Sequence, residues 1–243
     1  KTLSLFDSEA QLKKYIPLGL NDEYDQHMKF SPRDLILIGG RRGAGKTLTC
    51  VNIANNVYNQ GKSAIYFTIE MDSRSILQRM CALGARVPMG RLATKNLTNV
   101  EWNRVAEWWA GRFDGGHESL PKFYDDRNFD EFHKVLTKNP LHKDRQLDVI
   151  YDPVLSLTRI RKELESKVAQ MDVGVIIVDY INQVKRSNVP SRGGQYDWTE
   201  QIEVSKALKS MAQEYEVPVF SPYQTDNTGE ARFAKGILDA ADA

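Results

Sequence analysis

The residues with the most evident chemistry lie between positions 40 and 48. Gly40-Arg41-Arg42-Gly43-Ala44-Gly45-Lys46-Thr47 matches GxxxxGK[ST], the pattern of a loop that wraps main chain around phosphates. Glycine lets the backbone come close to a phosphate, and successive N–H groups at the start of the following helix form an anion nest. Lys46 adds a positive charge for the β- and γ-phosphates, and the Thr47 hydroxyl can ligate Mg²⁺. The nucleotide-binding set is therefore Gly40, Arg41, Gly43, Ala44, Gly45, Lys46, Thr47 and Leu48, with Lys46 also able to stabilise a phosphate in transfer.

Three further polar residues stand at or near the ends of apolar runs. Val175-Ile176-Ile177-Val178 ends in Asp179. A buried strand of this kind delivers its carboxylate to the sheet edge where ligands bind, and Asp179 can hold the Mg²⁺ shell. Many strands end in Asp for capping, so the preceding phosphate loop is what favours the metal role. Glu70 follows another apolar run and reads equally as the base that positions an attacking water or as a cap on the next helix. Gln224, placed just beyond a strand at Val217 to Ser221, reads equally as a γ-phosphate sensor or as a loop hydrogen-bonder.

The elements that position these groups can be read from periodicity. The continuous apolar run at 35–38 predicts a strand buried on both faces, 173–178 reads as the clearest buried strand, and 63–69, 147–151 and 217–221 read as further strands. Helices are expected at 47–59, 71–84, 100–109, 155–170 and 199–215. Asp72 or Ser73 is the expected N-cap of the second of these. A short helix at Asp7 to Tyr15 and a loop from Ile16 to Pro32 precede them. Strands alternating with helices imply βαβ crossovers: an α/β fold with a mostly parallel twisted sheet and helices on both faces. Polar residues 121–146 predict an insertion or an irregular helical segment. Trp102, Trp108 and Trp109 read as core packing rather than a binding surface.

Composition is that of an ordinary globular chain, with 41% hydrophobic and 27% charged residues among 243. A net charge of +1 neither demands nor excludes nucleic acid, so any basic surface must be local. No apolar run approaches the ~20 residues that span a bilayer, and no signal-peptide pattern is present. Cys50 and Cys81 lack metal-ligand spacing. They read as buried free thiols, which fits a reducing cytoplasm. The chain begins with Lys rather than Met, which reads as a fragment.

Together these motifs resemble the RecA-like motor domain of DnaB-type ring helicases. The similarity extends to Ile16-Pro17-Leu18-Gly19-Leu20, Pro32-Arg33-Asp34-Leu35, Phe67-Thr68-Ile69-Glu70-Met71, Leu77 to Val87, Asp179-Tyr180, Ser205 to Lys209 with Val217-Pro218-Val219, and Gln224. The end of the chain, Ile237 to Asp242, looks like the start of the family's acidic helix. It covers most of 16–243, leaving 1–15 as a linker-type helix that would dock on a neighbour and 121–146 as an insertion.

The resemblance implies a P-loop NTPase that hydrolyses Mg²⁺-ATP, with Glu70 as catalytic base, Gln224 as γ-phosphate sensor, and Thr47 and Asp179 on the metal. It implies a homo-hexamer around single-stranded DNA, with primase or a helicase loader as further partners. DNA-contacting loops would fall at Lys185 to Tyr196 and Thr225 to Gly236, carrying Lys185, Arg186, Arg192, Arg232 and Lys235, with Gly193-Gly194 able to bring backbone N–H groups to phosphates; a solvated loop is the plainer account of these charges. Arg42, Gly43, Asn182 and Asp226-Asn227 depart from the family pattern, as a phage-encoded member would. The family's final strands and its trans-acting arginine finger are expected beyond Ala243. A RecA- or RadA-like recombinase and a non-catalytic ATP switch or loader are the alternatives.

Overall fold

In the computed structural model, the structure describes residues 15–27, 30–186, 198–225 and 235–243. The predicted helix at 7–15 lies almost wholly outside them. Five parallel strands form one sheet in the order β1-β5-β4-β2-β3: β1 (Leu35–Gly40), β2 (Ser63–Thr68), β3 (Leu147–Tyr151), β4 (Val173–Asp179) and β5 (Val219–Gln224). The expected α/β architecture is therefore present, and every described strand pairing is parallel.

Alternation within each strand divides the core in two. Leu35, Ile65, Phe67, Ile176, Val178 and Val219 face one cluster, while Ile36, Ala64, Tyr66, Val175, Ile177 and Phe220 face the other. Because both faces of the central strand are covered, β4 reads as a run of apolar residues up to its terminal Asp179. The first face packs α8 (Leu157–Val168) and α9 (Trp198–Tyr215); the second packs α2 (Lys46–Asn59) and α3 (Ser73–Gly84). Asp72 caps α3 by accepting from the Ser75 N–H at 2.9 Å.

Where structure and expectation differ, the reasons are local. A short helix, α1 (Asp22–His27), interrupts the stretch expected to be loop, its first turn carrying three acids that suit a helix N-terminus. Another, α4 (Met89–Ala93), follows α3. After α5 (Asn99–Ala110), the segment expected to be an insertion or an irregular helical stretch contains two regular helices, α6 (Leu120–Asp126) and α7 (Phe129–Leu136). These helices close over a separate cluster of Phe113, Leu120, Phe123, Phe132 and Leu136; sparse aromatic anchors, rather than a continuous apolar stripe, hold it. Arg112, 7% exposed, ties this lobe to the sheet. Its guanidinium lies 5.3 and 5.5 Å from the Trp108 and Trp109 rings and donates to the Leu147 carbonyl at 2.8 Å. Trp102 and Trp109 pack against the satellite cluster while only partly buried, and Trp108 packs against both a second satellite cluster and the main core on the α2 face. At the other edge, Asp242 N–H donates to the Leu35 carbonyl and Leu37 N–H to the Ala243 carbonyl, at 2.9 and 2.8 Å, along the outer side of β1. Lys235–Ala240 forms a 3₁₀ turn that overlaps Ile237 to Asp242, the stretch expected to begin an acidic helix.

A P-loop cleft at the carboxyl edge of the sheet

Parallel pairing sets the strand ends level. Gly40 lies opposite Gln224, and Thr68 opposite both Asp179 and Tyr151. Gln224 is thus the last residue of β5 rather than a residue beyond the strand, a correction to the sequence-based boundary. Pro222 is tolerated inside β5, so the strand runs past it.

The turn between β1 and α2 holds Gly43 and Gly45 at φ of 79° and 90°, the left-handed region that favours glycine. No side chain caps α2, and its first turn has no acid. The helix N-terminus therefore presents its partial positive charge to the cleft. Lys46 reaches back over the turn, its Nζ donating to the Gly40 and Arg41 carbonyls at 2.7 and 2.8 Å.

Around this turn lies a cleft of about 330 Å³. It is lined by Gly43, Gly45, Lys46, Thr47 and Leu48 from the turn and by Glu70, Asp179 and Gln224 from three other strand ends. Four segments far apart in sequence meet at one place. Arg42, Met71, Arg79 and Tyr180 complete the wall. Among the predicted nucleotide-binding residues, Gly40, Arg41 and Ala44 belong to the same turn but not to the wall.

Asp179 is 7% exposed. It accepts a hydrogen bond from the Tyr66 phenol at 2.7 Å. Burial is the main influence and raises its carboxyl above the usual carboxylate range, with the Glu70 charge acting the same way; the Tyr66 and Thr47 hydroxyls and Lys46 oppose them. Burial likewise lowers the Lys46 ammonium, against the stabilising pull of Asp179 and then Glu70. Glu70 is exposed and does not cap α3, a task that falls to Asp72. The helix-cap reading of Glu70 is therefore removed.

Two residues at or beneath the cleft wall, Arg79 and Tyr66, escaped the sequence reading. Arg79 comes from the middle of α3, and its Nε is buried with no hydrogen-bond partner among the described residues. Tyr66 lies inside β2, where a strand pattern gives no reason to single out one apolar position. The helical period that turns position 79 toward the cleft was readable, but its distance from the P-loop was not.

The basic residues assigned to DNA contact are partly described. Lys185 forms a bridge with Ser156 through its backbone, and Arg186 pairs with Glu203 at 2.8 Å. Arg192, Arg232 and Gly193-Gly194 lie outside the described residues, as does the Lys235 side chain.

The family model for the DnaB-like helicase C-terminal domain matches residues 16–236. The chain belongs to this family. Curated relatives include the replicative DNA helicase DnaB of Haemophilus influenzae, 29% identical over 89% of the chain and 40% of that protein. DnaC of Bacillus subtilis is 25% identical over 89% and 41%, and DnaB of Nostoc sp. 26% identical over 90% and 21%. The chain therefore spans less than half the length of these relatives. Among solved structures, the ATPase domain of G40P superposes with a TM-score of 0.60 at 15% identity, covering 88% of this chain and 68% of that one. A DnaB-like replicative helicase described with its primase interactions gives 0.63 at 13% identity, covering 88% and 46%. These likenesses establish the RecA-like fold of the DnaB family, with nucleotide binding as the property such an ATPase domain carries. No helix among the described residues is long and apolar enough to cross a membrane.

Proposed function

We propose that this DnaB-family domain is the ATP-hydrolysing motor of a ring-forming replicative DNA helicase, moving on single-stranded DNA to unwind duplex. The observation that carries the reading is the convergence of Lys46, Thr47, Glu70, Asp179 and Gln224 on the wall of one P-loop cleft.

The site fits Mg²⁺. Two hard oxygen donors stand together beside an anion nest, and Mg²⁺ is typically held by one or two protein oxygens plus substrate phosphates rather than a protein cage. Among the described residues no cluster of three or more His, Cys, Asp or Glu offers such a cage. With ATP bound, Mg²⁺ supplies neutralisation of charge on the phosphates.

The chain's own groups do the rest. The turn at 40–48 binds and orients the triphosphate, while Lys46 exchanges its two carbonyl partners for phosphate oxygens. Glu70 accepts a hydrogen bond from the attacking water, aligns it and takes up its proton. Arg79 adds a positive charge within the subunit. Gln224 contacts the γ-phosphate and reports its loss. Single-stranded DNA passes the 185–196 and 225–236 segments in a homo-hexameric ring, residues 1–15 dock on a neighbour, and primase or a loader are candidate partners in the cytoplasm of a bacterium or phage host.

The test is ATPase activity of the intact protein with and without single-stranded DNA, with electron microscopy for rings. DNA-stimulated turnover and six-membered rings are expected. A protein that ignores Mg²⁺-ATP, or one that forms filaments and exchanges strands without unwinding, would overturn the reading.

A further inference from the structure

We infer that Tyr66 is a positioning residue that holds the Asp179 carboxylate in the orientation that receives Mg²⁺. The inference rests on the nucleotide-motor reading above and adds a residue that no motif marks.

Tyr66 lies within β2 opposite Ile177, on the α2 face of the sheet. It is 0% exposed. Neighbouring positions on that face are filled by Ala64, Val175, Ile177 and Phe220. A phenol in such surroundings is costly unless its O–H finds an acceptor. The acceptor is Oδ2 of Asp179, at 2.7 Å. Asp179 is two residues further along β4 than Ile177, so the ring leans along the strand direction to reach the sheet's carboxyl edge.

The Tyr66 phenol holds Asp179 from the core, while Thr47, itself a proposed ligand, shares the cleft wall with the carboxylate. The Tyr66 contact stays in place, since the phenol is buried beneath the carboxylate. The freedom it removes is rotation of the carboxylate about its last bond, which decides where the second oxygen points. Groups that hydrogen-bond a metal ligand in this way typically change metal affinity by ten- to a hundredfold when removed.

Tyr66→Phe deletes one oxygen and keeps the ring. The experiment measures binding of a fluorescent, non-hydrolysable ATP analogue to the intact protein, in EDTA and across a magnesium titration. Affinity in EDTA should equal that of the parent, while the magnesium midpoint rises roughly ten- to a hundredfold. In an Asp179→Asn background the same substitution should add no further shift, since the carboxylate it orients is gone. An unchanged magnesium midpoint in Tyr66→Phe overturns the inference. So does an additive shift in the Asp179→Asn background. Loss of EDTA binding in Tyr66→Phe does so too, because the phenol would then support the pocket as a whole. A parent protein that binds no analogue in either buffer overturns the motor reading itself, a result distinct from the other three.

Discussion

Asn182 and Gln201 form a side-chain amide pair, Nδ2 of the first donating to Oε1 of the second at 3.3 Å. Oδ1 of Asn182 accepts the backbone N–H of Gln224, also at 3.3 Å. Gln201 is 4% exposed and sits in the first turn of α9, immediately after the 187–197 segment. The end of β5 is thus joined through two amides to the start of a helix that borders a proposed DNA loop. Gln201→Ala should weaken stimulation of ATP turnover by single-stranded DNA while leaving DNA-free turnover in place. Equal stimulation in parent and variant would show the pair to be structural packing only.

Replacing Glu70 with Gln keeps the size and hydrogen bonding of the side chain but removes the base. Turnover should fall by about 10²–10⁴-fold, the usual contribution of a positioned acid–base group, with nucleotide affinity retained. Single-turnover kinetics beside equilibrium binding will decide. A parent protein with negligible turnover, unchanged by the substitution, would favour an ATP switch instead.

Lys46→Ala removes the side chain that bridges the turn carbonyls of Gly40 and Arg41 and faces the cleft. In the parent, Mg²⁺-ATP at a hundred times its Kd should add about 2.7 kcal/mol of stability by mass action. The variant should show almost none of that shift in a thermal melt. A full shift in Lys46→Ala would mean that the phosphates bind elsewhere.

Arg186 has a side chain 67% exposed, and its ion pair with Glu203 is a surface pair of small worth. A DNA phosphate can displace Glu203 at little cost. Arg186→Ala should lower the slope of log affinity for single-stranded DNA against log salt by about 0.7. An unchanged slope, measured by fluorescence anisotropy across a salt series, would remove Arg186 from the interface.

Cys81 is 8% exposed, and burial pushes its thiol up to about 12 from an ordinary 9.0. A raised pKa means the native protein keeps a proton that the unfolded chain releases. The associated stability is complete below pH 9.0 and is lost as pH climbs towards 12. Iodoacetamide near pH 9.0 should therefore spare Cys81 in the native protein and modify it after unfolding in urea. Rapid native alkylation at Cys81, located by mass spectrometry, would contradict the burial seen.

Much of the site could be read before the fold. Gly40 to Thr47 carries its chemistry in consecutive residues, and β4 announces Asp179 by four apolar residues before it. The helical lobe at 111–146 was not legible in the same way, because Phe113, Leu120, Phe123 and Phe132 are too widely spaced to show a periodic stripe. Glu70 lay between the two cases. Its place after a strand was visible, but only the cap geometry of Asp72 removed the competing explanation.

What the sequence determined by itself is local: which segments are strands buried on both faces, where a backbone turn can cradle phosphate, and which acids stand at strand ends. Those properties follow from side-chain period and from the φ angles glycine permits. Only the tertiary structure decided the rest. The order β1-β5-β4-β2-β3 brings Gly40, Gln224, Asp179 and Thr68 to one edge, turns Arg79 into the cleft and sets the Tyr66 phenol against Asp179. Register between strands distant in sequence is fixed by the packing of two cores at once, and no single segment carries that information.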